Sequence, residues 1–226
     1  MSIAENYRRL REEIPDHVTI VLAAKTRTAA EVSEAIEAGA TDVGHNYVQE
    51  AESMHDELGN LASRVRWHMI GHLQKNKINK VLPVVDTIQT VDSIVAAEAI
   101  DKRVEAAGKS TVDILIEINS GGEVSKSGLG ADYDAVEQVA RGVATLPHLR
   151  LCGLMTMGPF LDDPEDMRPY FRTTKGIFER LREKMIPRTN IQTLSMGMSD
   201  SYRVAIEEGG TMVRLGTIVF GPRSYA

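Results

Sequence analysis

Short apolar runs rich in β-branched residues alternate along the chain with longer stretches whose apolar positions recur every three or four residues. The first kind reads as buried strand and the second as amphipathic helix. A short polar helix is expected over residues 4–13, then a first strand over 19–24, T-I-V-L-A-A, with Lys25 at its end. Thr28 followed by Glu31 is a capping-box signature. The helix it opens shows Val32, Ala35 and Ile36 on one face and stops at Gly39. A strand over 41–44 runs into His45 and Asn46. The next helix places Tyr47, Ala51, Met54 and Leu58 at helical spacing before Gly59. A third strand over 67–70 leads into the loop Gly71-His72-Leu73-Gln74.

The alternation continues to the end. Strands are expected over 84–90, 112–118, 149–155, 191–194 and 211–215. Between them the pattern predicts helices capped by Asp92 or Ser93, over 133–144, over 164–183, and one capped by Ser199 or Asp200 that ends at Glu208. Eight strand–helix units with short connections imply a parallel sheet. In 226 residues they fit an α/β fold closed as a single (β/α)8 TIM-type barrel, one domain over 1–226. No GxGxxG follows the first strand, which disfavours a dinucleotide fold.

Composition narrows the function. The chain is 42% hydrophobic and 26% charged, an ordinary globular balance. A net charge of -6 gives no reason to expect nucleic acid or an acidic membrane surface as partner. The one cysteine, Cys152, excludes an intrachain disulfide and sits in an apolar run, as a buried structural thiol does. No apolar run approaches a membrane span and the N-terminus lacks the core of a signal peptide, so a cytoplasmic location is expected.

In a barrel the strand C-termini converge on one face, where sites are built. Lys25 at such an end is either a solvated strand terminus or a chemical handle. Ser195, Gly197 and Met198 lie in L-S-M-G-M-S-D after the seventh strand, and Gly216 and Thr217 in R-L-G-T after the eighth. Small residues there let backbone N–H groups approach an anion, and these two loops are the usual phosphate grip of the fold. A phosphate grip and a strand-end lysine in one mouth suggest pyridoxal 5'-phosphate (PLP). A Schiff base needs a neutral amine, which a partly dry site with cationic neighbours favours. Arg214 is placed to donate to the pyridine nitrogen, or else to serve a phosphate or a surface ion pair. His45, His68 and His72 match no metal spacing, so no metal is expected, and His68 is expected inside the barrel. Glu117 is expected to face inward, Lys126 to be a surface or lid residue, and the Met157-Gly158-Pro159 turn to be rim structure.

With these motifs in order, the chain resembles the pyridoxal phosphate homeostasis protein family nearly throughout. The resemblance is carried by A-A-K-T, G-H-N-Y-V-Q-E, W-H-M-I-G-H-L-Q-K-N-K, S-K-S-G, G-L-M-T-M, L-S-M-G-M-S-D and M-V-R-L-G-T-I-V-F-G-P-R. It implies a barrel like that of bacterial alanine racemase, acting as a PLP carrier or regulator. It implies Lys25 as the Schiff-base lysine and Asn46 beside the ring. Ser195, Gly197, Met198, Gly216 and Thr217 would hold the phosphate, largely through backbone amides, and Arg214 would face the ring nitrogen. Two positions depart from the family pattern. His45 stands where the family usually has an acid, and Gln89 where it often has histidine.

An amino acid racemase is the alternative. Racemisation needs acid or base groups on both faces of the bound substrate. By the same resemblance, racemases take one of them from a second domain, which this chain is expected to lack. Tyr47 or Tyr133 would have to substitute. A cofactor-free barrel enzyme acting on a sugar phosphate would use the same loops without a lysine adduct. A monomer is expected, with PLP as ligand and PLP-dependent apoenzymes as recipients.

Overall fold

The computed structural model describes residues 1–123 and 127–222. Ser125 and Lys126 of the S-K-S-G motif, and Arg223, lie outside the described residues. The strands are β1 (Thr19–Ala23), β2 (Asp42–His45), β3 (Arg66–Met69), β4 (Thr87–Val91), β5 (Val112–Asn119), β6 (Leu129–Gly130), β7 (Leu149–Thr156), β8 (Thr193–Ser195) and β9 (Met212–Leu215). Every pairing is parallel. The order β4-β3-β2-β1-β9-β8-β7-β5 closes on itself through β4 and β5. Eight strands therefore make the expected (β/α)8 barrel, and β6 only extends the end of β5.

The helices are α1 (Ile3–Glu13), α2 (Ala29–Glu37), α3 (Val48–Leu58), α4 (Ile78–Val81), α5 (Ile94–Ala106), α6 (Tyr133–Val143), α7 (Arg168–Glu183), α8 (Tyr202–Glu207) and α9 (Thr217–Phe220). Strands buried on both faces explain the near-continuous apolar runs, such as β1 and most of β5. The helices bury the stripes their periodicity marked: Val32, Ala35 and Ile36 in α2, and Phe171, Thr174, Phe178 and Leu181 in α7. Thr28 and Glu31 form the reciprocal capping box. None of the described helices is long and apolar enough to cross a membrane.

Local boundaries shift in several places, among them the seventh strand, expected over 191–194 and found at Thr193–Ser195. The fourth strand starts at Thr87, not Val84. Residues 78–81 form α4, a single helical turn that ends before Pro83, and Val84 and Val85 belong to the turn after it. Val81, Leu82, Val85 and Ile88 are all buried, so hydrophobicity alone does not divide helix from strand there. Tyr47 is the N-cap of α3 and 52% exposed, and Val48 takes its place on the inner face. The helix after β8 begins at Tyr202 with Ser201 as N-cap, which releases Ser199 for another task. Around Cys152 the register of β7 against β5 slips by one residue. Gly153 follows at φ +152°, where an added Cβ would overlap the Thr193 carbonyl of β8.

Candidate cofactor site

The C-terminal ends of β8, β9, β1 and β2, adjacent in the sheet, surround a cavity of about 580 Å³. That lies within the ~300–1,000 Å³ common for small-molecule sites. Lys25 enters it from the first turn after β1. The turn is closed by Arg27 N–H donating to the Ala24 carbonyl at 3.0 Å, and Thr26 within it sits at φ +63°. A β-branched residue in the left-handed region is strained, so packing holds this turn in place. The Lys25 ammonium lies 5.1 Å from the centre of the Tyr47 ring, a cation–π contact.

The strand ends approach closely around it. Gly216 abuts the Ala23 carbonyl, 3.3 Å from where a Cβ would stand, so the loop after β9 lies against the strand that delivers Lys25. Gly71 abuts the backbone of Asn46, and a side chain there would push Asn46 off its place on the cavity wall. In the same wall the backbone N–H groups of Gly216 and Ile218 both donate to Ser199 Oγ, at 3.1 and 3.4 Å. Two amides already converge on one oxygen, a geometry that suits a phosphate oxygen.

Arg214 forms part of the cavity wall yet is 3% exposed, so it makes no surface ion pair. Its guanidinium donates from Nη1 to Ser195 Oγ at 2.7 Å and from Nη2 to the Thr156 carbonyl at 2.8 Å. Burial pushes its pKa down to about 10, with Glu117 opposing the shift, which leaves the group charged at neutral pH. Glu117 is itself buried, and burial raises its carboxyl above the ordinary range while Ser127 donates to it. It faces inward, as the alternation of β5 implied.

Of the residues singled out from the sequence, Lys25, Asn46, Met198, Arg214, Gly216 and Thr217 line this one cavity. Ser195 and Gly197 do not. The Ser195 hydroxyl is fully buried, accepting from Arg214 and donating to Gln89 Oε1 at 2.8 Å. Gly197 turns the chain at φ +91°, and its carbonyl accepts from the Arg214 amide. Met157 lines the cavity rather than only its rim, and so do Asp200, read from the sequence as a helix cap, and Arg27 and Phe160, which no motif marked. Asp200 is exposed and sets one carboxylate against the cationic groups of the mouth. His45 points away from the cavity and stacks on Trp67 at 5.8 Å. Among the described residues no group of histidine, cysteine and carboxylate side chains is arranged to hold a metal.

Fold and mouth together define a (β/α)8 barrel in which a strand-end lysine, a buried arginine and convergent backbone amides face one cavity. The family model for the alanine racemase N-terminal domain matches residues 1–224. A pyridoxal phosphate homeostasis protein of Aquifex aeolicus is 38% identical over 90% of this chain and 86% of its own length. Another, from Escherichia coli K12, is 36% identical over 99% and 98%. The chain belongs to the pyridoxal phosphate homeostasis protein family, within that wider alanine racemase N-terminal domain group. PipY of Synechococcus elongatus PCC7942 superposes with a TM-score of 0.90 without PLP and 0.87 with PLP bound, at 30% and 29% identity. Both superpositions cover 97% of this chain and all of that one. An alanine racemase of Clostridium difficile 630 shares the fold, with a TM-score of 0.82 at 16% identity over 57% of its length.

Proposed function

We propose that the chain, as a single unit over residues 1–226, holds PLP in the barrel mouth as a Schiff base at Lys25. In this role it serves PLP homeostasis as a cytoplasmic, monomeric carrier or regulator without turnover of its own. The observation that carries this is the meeting of Lys25, Arg214 and the Gly216 and Ile218 amides in one cavity. PLP supplies an aldehyde there, to which an amine bonds reversibly with loss of water. Lys25 provides that amine from a turn that fixes its direction. The loop amides around Ser199, Gly216 and Thr217, with the Met198 backbone, hold the phosphate. Asn46 flanks the ring. Arg214, a donor that carries no acceptor, faces the ring nitrogen and leaves it unprotonated, which keeps the ring a weak electron sink. The names of the relatives and the PLP-bound PipY support this assignment. Exposed Tyr47 and Phe160 at the mouth suit exchange of the ligand with PLP-dependent apoenzymes.

The test is PLP titration of the pure protein beside Lys25→Ala, followed by incubation of the loaded protein with L-amino acids and with an aminotransferase apoenzyme. A visible absorbance band in the wild type alone is expected, with activation of the apoenzyme and no amino acid consumed. Sustained turnover of an amino acid, abolished by Lys25→Ala, overturns the carrier assignment.

A further inference from the structure

A chain of side chains crosses the barrel interior behind Arg214. Arg214 Nη1 donates to Ser195 Oγ, and Ser195 donates to Gln89 Oε1 at 2.8 Å. Gln89 Nε2 lies 3.0 Å from His68 Nδ1, and His68 Nε2 lies 2.8 Å from Asp42 Oδ1. All five residues are buried, with Gln89 and Ser195 wholly so. With the Gln89 amide oriented in this way, the direction of each bond follows from the two ends. A guanidinium can only donate, so Ser195 must accept from it and send its own proton to the one acceptor of Gln89. Asp42 Oδ1 faces His68 Nε2 and its Oδ2 accepts from Thr41 Oγ1 at 2.7 Å, the setting of a carboxylate. As a carboxylate it can only accept, so the His68 proton sits on Nε2 and Nδ1 accepts from Gln89.

We infer that Gln89 and Ser195 are positioning residues for Arg214: they form a one-way relay of hydrogen bonds from the guanidinium to the Asp42 carboxylate, which fixes the arginine as a donor toward the cavity. Among the described residues no carboxylate is hydrogen-bonded to Arg214, and Glu117 acts on it through charge alone, so the relay supplies the hydrogen-bonded path from this buried cation to an anion. Position 89 must accept on one side and donate on the other. Glutamine does this, and so does a neutral histidine. Glutamate cannot donate, and leucine can do neither.

Resting on the PLP site proposed above, the relay is tested in two ways. Long-range ¹H–¹⁵N NMR of the protein without added cofactor is expected to show His68 neutral and protonated at Nε2. In Gln89→Glu a proton is expected on both ring nitrogens, since the carboxylate needs one from Nδ1. PLP affinity, read from the visible band, is expected to fall on the order of tenfold in Gln89→Leu and Ser195→Ala, because a charged donor loses its support. Gln89→His is expected to stay near the wild-type value, which a mere cavity-filling role would not require. Circular dichroism confirms that each variant is folded, and Ser195→Ala, the smallest change, serves if Gln89→Leu is not. Unchanged affinity in Ser195→Ala, or an unaltered His68 spectrum in Gln89→Glu, overturns the relay. The two levels fail separately: a wild type with no PLP band sinks the cofactor assignment, whereas the His68 spectrum reads the relay without it.

Discussion

His45 is an imidazole 1% exposed, stacked on Trp67, with neither ring nitrogen hydrogen-bonded among the described residues. Burial pushes its pKa down from 6.5 to about 4, so it is neutral in the folded protein at neutral pH. The unfolded chain takes up the proton first as pH falls. The full stability is therefore present above about pH 6.5 and is lost progressively down to about pH 4. His45→Phe keeps the stacking and removes the proton. Urea unfolding at pH 7 and pH 4.5 is expected to show the wild type losing about 2–3 kcal/mol more than this variant over that interval. Parallel losses would mean that His45 is hydrated or that its protonated ring pairs with the Glu50 carboxylate, 4.0 Å from Nδ1. The sequence marked His45 as a strand-end histidine without metal spacing and as a departure from the family pattern. Which way a strand-end side chain turns depends on where the strand stops, and β2 runs one residue further than its apolar run suggested.

The loop from β1 to α2 and the last turn, α9, carry the two halves of the site, and Arg27 ties them together. Its guanidinium donates to the Phe220, Gly221 and Pro222 carbonyls and pairs with Glu31 at 3.3 Å. Arg27→Ala is expected to cost about 1–3 kcal/mol in urea unfolding and to speed PLP release several-fold in a dilution experiment. Arg27→Lys is expected to recover little, since a point charge does not span several carbonyls. Unchanged release in Arg27→Ala would mean the loops hold their positions without it. Nothing in K-T-R-T marks this arginine, because the carbonyls it gathers lie about 190 residues away. Local chemistry was legible: the capping box at Thr28, the stripe of α7, and the glycines after β8 and β9. What depended on long-range contacts was not. Ser195 sits in a phosphate-loop motif yet serves Arg214, and Ser199, which looked like a helix cap, gathers the Gly216 and Ile218 amides.

Barrel closure brings the first and last units of the chain side by side. β1 pairs with β9 from Thr19 to Leu22 and with β2 from Val21 to Ala23. The site therefore straddles the seam between the chain's ends, and a ligand held there stabilises the closed barrel by mass action. The eight-fold alternation made this architecture readable, since parallel strands joined by helices have few ways to bury both faces. The most direct measurement is reductive trapping. The protein is incubated with PLP, reduced with borohydride, digested and mapped by peptide mass spectrometry, beside Lys25→Ala treated identically. A single dominant pyridoxyl adduct on Lys25, absent from the variant, is the predicted result. Adducts spread over surface lysines to the same extent in both proteins, with none favoured at Lys25, would contradict a PLP site in the barrel mouth.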